Sequence, residues 1–163
     1  MTDASITTAI DGDTCVIRFD GDIRHTLAHG FDRFLDRMFD AGAVERVIVD
    51  LTGTTNIDST MLGLMARLAS DLRDRHGRRP LLFSPNADIN ELLDSLCLDE
   101  CFVRCDELPS IGPGSVLPEG IASDEEHARL ILDAHRLLAR MNEGNRALFE
   151  SVIDALEREL PQR

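Results

Sequence analysis

The most promising chemical feature of this sequence is a hydroxyl group that follows a carboxylate where a strand gives way to a helix. Ser59 comes directly after Asp58 and before Thr60. Residues 47–51 form a β-branched apolar run typical of a strand buried on both faces, and residues 62–69 repeat apolar side chains at helical spacing. Because ligands and partners of open α/β sheets bind at the carboxyl ends of the strands, we expect Ser59 to be presented to solvent.

Three roles are open for this hydroxyl. Asp58 or Ser59 could simply cap the helix. A nucleophilic serine needs a His base and an orienting acid, and the sequence contains no Gly-x-Ser-x-Gly elbow. A phosphate would add about −1.5 to −2 charge, which the first turn of a helix tolerates but a desolvated partner interface does not. These patterns favour a modified substrate over a catalyst, and we expect no enzymatic activity.

Cysteine and histidine spacings raise the question of a metal site. Cys97, Cys101 and Cys105 recur every four residues, which on one continuous helix would align three thiols. Residues 102–105 are more typical of a short strand, however, and no fourth ligand follows. His25 and His29 also lie four apart but belong to no HExxH pattern. We therefore predict reduced thiols, surface histidines, no metal and no cofactor.

Composition narrows the function classes. The chain has 163 residues, 43% of them apolar, which suits one domain of ordinary size. Its formal net charge of −13 repels phosphate backbones, so nucleic-acid binding is not expected. All 17 basic residues are Arg, so the chain has no lysine for a P-loop or for a Schiff base. No apolar run approaches the roughly 18 needed for a membrane helix, and the N-terminus lacks the basic region of a signal peptide, so we predict a cytoplasmic protein.

Periodicity and turn residues predict an α/β domain followed by a helical pair. Gly42 and Gly77 are predicted to end the first two helices. The predicted strands are 5–10, 15–19, 44–51, 81–84 and 102–105, and the predicted helices of the domain are 27–39, 60–76 and 87–96.

The C-terminal third is predicted to be a linker and a helical hairpin. Residues 107–122 contain three prolines, which interrupt regular structure. A capping box at Ser123 and Glu126 begins one helix, and a turn at 142–145 precedes the next. Both helices carry apolar stripes that must pack on the domain itself, on a second copy or on a partner. The sequence slightly favours the domain itself, and a homodimer stays open.

The order of elements, together with three local motifs, resembles the STAS domain, in particular the anti-sigma factor antagonists. The resemblance covers about residues 6–106. It rests on residues 19–23 (FDGDI), 47–52 (VIVDLT) and 57–64 (IDSTMLGL). It implies a STAS-like mixed β-sheet of about five strands with helices, within a chain divided into a domain at 1–106, a linker at 107–122 and a helical extension at 123–163.

The resemblance also implies a function. In that family the serine after the aspartate is phosphorylated by a GHKL-type serine kinase that doubles as an anti-sigma factor, and a metal-dependent serine phosphatase reverses the step. Ser59 matches that serine, with Thr60 as the fallback. The unphosphorylated form would bind the anti-sigma factor, which makes the chain a bacterial regulator of transcription through partner switching. The residues expected at the partner surface are Asp22, Arg24, Asp58, Ser59, Thr60 and Met61.

Two departures from the family pattern affect this surface. Met61 stands where the family usually has Gly, and Arg24 stands where it usually has an acid. STAS modules also serve as non-catalytic accessory subunits of transport or signalling complexes, in which the serine need not be phosphorylated. In that alternative the C-terminal helical pair would be the docking element.

Overall fold

This computed structural model describes residues 3–161, which form a mixed seven-stranded sheet and five α-helices. The strands are β1 (Ser5–Asp11), β2 (Thr14–Ile23), β3 (Arg46–Asp50), β4 (Thr54–Ile57), β5 (Leu81–Phe83), β6 (Val103–Arg104) and β7 (Ser115–Val116). The helices are α1 (Ala28–Ala41), α2 (Ser59–His76), α3 (Ala87–Ser95), α4 (Asp124–Ala139) and α5 (Glu143–Glu159). Two short 3-10 helices, His25–Leu27 and Leu98–Glu100, precede α1 and β6.

The sheet is ordered β6-β5-β3-β2-β1-β7. β1 and β2 are antiparallel, whereas β2, β3, β5 and β6 run parallel. Beyond Arg18 the end of β2 leaves β3 and pairs in parallel with β4 from Gly21 onward, with a register shift between Gly21 and Asp22. The backbone N–H of Asp58 continues this pairing by donating to the carbonyl of Ile23 at 2.9 Å. The pairing brings the residues after β2 next to the N-terminus of α2.

Helix α2 is the centre of the domain. Every residue from Thr60 to Ala66 is buried, including Gly63. A helix that is buried all round must be covered on two sides. One side of α2 packs on the core of the sheet, where Phe19 is fully buried, and the other is covered by α4.

The predicted helix ends are confirmed. Gly42 and Gly77 adopt left-handed backbone conformations, with φ of 73° and 65°. Their N–H groups donate to Met38 and Arg73, which satisfies carbonyls of the last turn. Ser123 and Glu126 form the expected reciprocal capping box at the start of α4.

The predicted mixed α/β fold is confirmed, with three differences in local structure. The estimate of about five strands omitted β4 and β7. β4 lies in the segment predicted as a loop, because its polar, partly exposed residues become a strand only by pairing with β2. β7 lies in the predicted linker, where Gly114 lets the chain approach β1 closely and two residues pair at the edge. The turn predicted at 142–145 lies earlier, at 140–142, because Asn142 already caps α5.

The C-terminal hairpin packs on its own domain. Leu132, Ala134 and Leu138 of α4 are buried, and α5 packs on α4. The side-chain amide of Asn145 in α5 donates to the carbonyls of Leu96 at 2.9 Å and Leu138 at 3.0 Å. The apolar stripe of α4 therefore faces protein, whereas that of α5 is covered only in part, with Phe149 buried and Leu148 and Val152 exposed. Within residues 3–161, the structure contains no helix with the length and apolar character needed to cross a membrane.

Candidate functional site around Ser59

Asp58 holds together the chain segments that surround Ser59. One carboxylate oxygen accepts the backbone N–H of Met61 at 3.0 Å, which makes Asp58 the N-cap of α2. The other accepts the backbone N–H of His25 at 2.6 Å, in the turn after β2. The capping role left open by the sequence thus falls to Asp58, and the Ser59 hydroxyl is available for another partner.

That partner is a histidine from the C-terminal hairpin. The Ser59 hydroxyl oxygen lies 2.8 Å from Nε2 of His135 on α4. Ser59 is half-buried. The expectation that this hydroxyl is presented to solvent was therefore wrong, because α4 crosses the N-terminal half of α2 and covers it.

His135 is a buried residue with both ring nitrogens engaged. It is 4% exposed, and Nδ1 lies 2.7 Å from the carbonyl oxygen of Ile131. Since a carbonyl can only accept, Nδ1 carries a hydrogen in this contact, and Nε2 is the nitrogen that pairs with the Ser59 hydroxyl. The ring of Phe149 from α5 packs against the imidazole in a T-shaped arrangement, with 5.3 Å between the ring centroids. Sequence reasoning missed His135, although one histidine among the apolar positions of α4 was its available signal.

A Ser–His pair at this distance is the arrangement that activates a nucleophile, but the surroundings do not complete a hydrolase site. Nδ1 faces a backbone carbonyl, where a catalytic triad has a carboxylate. Two clefts of about 570 and 560 Å³ border α4, and neither is lined by Ser59 or His135. The hydroxyl lies in the interface between α2 and α4, outside both of these clefts.

Asp22 and Arg24 lie at the surface beside this junction. Their side chains form an ion pair of 2.7 Å, and the amide of Asn56 on β4 donates to the other carboxylate oxygen at 3.2 Å. The Arg24 side chain is 64% exposed. The pair thus presents both a positive and a negative group next to the segment that carries Asp58.

Two other residues expected at the partner surface are inside the protein. Thr60 is 4% exposed, and Met61 is fully buried among the core side chains. Their helical positions rotate them from the Ser59 face toward the sheet. The side chain of Met61 is therefore not accessible to a partner. The hydroxyl of Thr60 is less accessible than that of Ser59.

Comparison with known protein families identifies the domain. The family model described as "STAS domain" matches residues 5–109, which is more than half of the chain. The chain belongs to the STAS family.

Solved structures with the same fold include two of SpoIIAA. The unphosphorylated anti-sigma factor antagonist SpoIIAA is 18% identical, with a TM-score of 0.54 over 64% of this STAS-domain protein and 89% of SpoIIAA. The phosphorylated form from Bacillus is 19% identical, with a TM-score of 0.53 over 63% and 92%. TM1081 of Thermotoga maritima, provisionally assigned as an anti-sigma factor antagonist, is 20% identical, with a TM-score of 0.55 over 62% and 86%. A search among curated proteins gave no match.

A second histidine contact joins the STAS domain to the hairpin. Nδ1 of His25 lies 3.0 Å from Nε2 of His127 on α4. Burial lowers the pKa of His127, and the nearby His25 and His29 lower it further, while Asp124 and Asp58 act in the opposite direction. The imidazole contact therefore favours a neutral His127.

The cysteines do not assemble a site. α3 ends at Ser95, so Cys97, Cys101 and Cys105 do not share a helix face. Burial raises the pKa of the Cys101 and Cys105 thiols, and it raises that of Cys15 to about 12. Low thiolate content makes such thiols poor nucleophiles. Among residues 3–161, no three His, Cys, Asp or Glu side chains form a candidate metal cluster.

Proposed function

We propose that this STAS-domain protein is an anti-sigma factor antagonist that acts by partner switching under the control of Ser59 phosphorylation. The observation that carries the proposal is the position of the Ser59 hydroxyl on the first turn of α2. Because Asp58 caps this helix, the Ser59 hydroxyl is not used as the cap. The likeness to SpoIIAA, which is known in unphosphorylated and phosphorylated forms, supports the proposal.

The chemistry of the junction supports a switch that leaves the domain folded. A phosphate on the first helical turn lies near unsatisfied amides and the positive end of the helix dipole, which offset part of its charge. A partner surface that must be desolvated offers no such compensation, and an unpaired dianion there weakens binding strongly. The same modification would therefore spare the fold and impair the interface.

The surface beside Ser59 gives the partner its contacts. Asp22 and Arg24 form an exposed ion pair, and the Asp58 carboxylate is half-buried next to them. In this proposal the partner is a GHKL-type serine kinase that also serves as the anti-sigma factor, and a metal-dependent serine phosphatase restores the hydroxyl. The protein itself contributes a binding surface and a phosphate acceptor, not a catalytic centre.

The proposal is tested by locating the phosphate and by measuring affinity. Incubation with the cognate kinase and ATP, followed by mass spectrometry of the tryptic peptide 47–67, is expected to place the phosphate on Ser59. Labelling that persists in Ser59→Ala would overturn the assignment, and Thr60→Val is the matched control because that residue is buried.

Calorimetry then distinguishes the effect of an added charge on binding affinity from the effect of losing the hydroxyl. Ser59→Asp is expected to bind the anti-sigma factor about tenfold or more weakly than Ser59→Ala, because only the aspartate carries charge into the interface. Equal affinities of the two variants would mean that the interface lies elsewhere.

A further inference from the structure

Helix α4 approaches α2 at a glycine. A Cβ atom added to Gly63 would lie 2.7 Å from both the carbonyl carbon and the Cβ of Ala134, which is closer than real Cβ contacts allow. Glycine weakens a helix interior, so its use at a buried position of α2 suits a close approach of another backbone. The N-terminal half of α2 is thus shaped to receive α4.

The segment before α4 also packs closely against a glycine. A Cβ added to Gly30 of α1 would meet the backbone of Pro118 and, at 3.0 Å, the carbonyl oxygen of Glu119. The backbone N–H of Leu117 donates to the carbonyl of Ile6 at 2.8 Å, next to the β1–β7 pairing. The chain is therefore anchored on the domain shortly before α4 begins.

Resting on the function proposed above, we propose that the α4–α5 hairpin is an intramolecular competitor for the surface around Ser59. His135 occupies the position from which a kinase or an anti-sigma factor would reach the hydroxyl. Binding of either partner then requires the hairpin to leave α2. Only molecules with an undocked hairpin can bind the partner. The apparent affinity of the partner for the full chain is therefore its intrinsic affinity multiplied by the undocked fraction.

A phosphate and the docked hairpin exclude each other. With Nε2 of His135 only 2.8 Å from the hydroxyl oxygen, there is no space for a phosphorus atom and its oxygens between them. Phosphorylation also replaces the hydroxyl hydrogen of Ser59, so the present hydroxyl–imidazole hydrogen bond is lost. A docked hairpin blocks the access of the kinase to Ser59. Because coupling between equilibria is reciprocal, a phosphate that is disfavoured by docking in turn disfavours the docked hairpin.

The hairpin is built to move as one unit. Arg136 of α4 pairs with Glu157 of α5 at 2.9 Å, and Arg129 donates to the carbonyl of Pro161. These contacts lie within the hairpin, so they survive when α4 leaves α2. Residues 120–123, after the anchored segment, contain no helix or strand and can serve as the hinge.

The competition is tested first without any partner. In full-length Ser59→Cys, a bulky maleimide reacts with the new thiol, and mass spectrometry of tryptic peptide 47–67, which has no native cysteine, reports the rate. Adding Gly63→Ala puts a Cβ against Ala134 while favouring helix in α2, and is expected to speed labelling by about tenfold or more. Gly112→Ala is the matched control, because a Cβ there meets nothing within 4 Å. Equal rates in the Gly63→Ala and control backgrounds would overturn the competition.

The exclusion between phosphate and hairpin is tested by hydrogen exchange of α4 in the full chain. Ser59→Glu is expected to speed exchange of the α4 amides by about tenfold relative to Ser59→Ala. Unchanged protection in Ser59→Glu would overturn the exclusion. Neither measurement needs a kinase or a sigma factor. A failure of the proposed function would appear only in the phosphorylation and affinity assays, whereas a failure of the competition would appear here.

Discussion

Ser59 and His135 lie 76 positions apart in the chain and are joined by a hydrogen bond of 2.8 Å. The first belongs to the STAS domain and the second to the helical hairpin that follows it. His135 uses its other ring nitrogen to bind the carbonyl of Ile131, so its ring is fixed relative to α4. The position of α4 on α2 therefore determines whether the Ser59 hydroxyl is covered.

Replacing His135 by leucine is expected to weaken docking of α4. The apolar side chain fills much of the site but leaves the Ser59 hydroxyl without its acceptor, at a cost of about 1 kcal/mol in the free energy of unfolding. Urea denaturation of the full chain measures the loss. Asp133→Ala is the control, because Asp133 lies on the exposed face of α4. A His135→Leu variant as stable as the control would show that the hydrogen bond contributes nothing to docking.

Acidification is expected to loosen the hairpin through His127. The pKa of His127 is lower in the folded protein than in the unfolded chain, so proton uptake favours the undocked or unfolded state. Stability contributed by this group is complete above the unfolded pKa of about 6.5 and falls as the pH drops below it. His25 and His29 add to the repulsion, whereas Asp124 and Asp58 oppose it.

The measurement for His127 is α4 hydrogen exchange, corrected for intrinsic rates, between about pH 8 and about pH 5.5. Protection is expected to fall on the acid side in the wild-type chain and to change less in His127→Gln, which keeps polar contact with His25 but does not titrate. Identical pH profiles for the two proteins would rule out His127 as the source of the pH dependence.

Removing the Asp58 carboxylate is expected to destabilise the junction itself. Asp58→Ala loses the cap on Met61 and the bond to the N–H of His25, so we expect the free energy of unfolding to fall by about 1–2 kcal/mol. Asp58→Asn, which retains an acceptor oxygen, should recover part of the loss. Chemical denaturation compares the three proteins. A stable Asp58→Ala variant would mean that water replaces the carboxylate at both amides.

Deleting residues 123–163 is expected to expose the outer face of α2. Gly63 and Ala66 are buried in the full chain and lie where α4 packs, so the truncated domain should bind an apolar dye and lose solubility. Fluorescence and thermal denaturation compare it with the full chain. A truncated domain that is equally soluble and heat-stable would make the hairpin an appendage and favour docking on a partner, as in an accessory subunit.

The sequence by itself determined the features that depend on neighbours along the chain. Side-chain periodicity identified the helices and most strands, and the left-handed glycines at 42 and 77 marked two helix ends. The order of polar residues placed Ser59 on the first turn of α2 after Asp58. Each of these depends on backbone geometry and caps within a few residues, which the local sequence specifies.

Only the tertiary structure decided what surrounds that serine. β4 and β7 exist because β2 and β1 pair with them, and their own residues carry little strand signal. The apolar stripe of α4 was visible in the sequence. An amphipathic pattern shows that a helix face must be covered, but it does not identify the element that covers it. The choice of α2 depends on the space left at Gly63 and on the fit of His135 to Ser59, contacts between segments far apart in sequence that form only when the domain has folded.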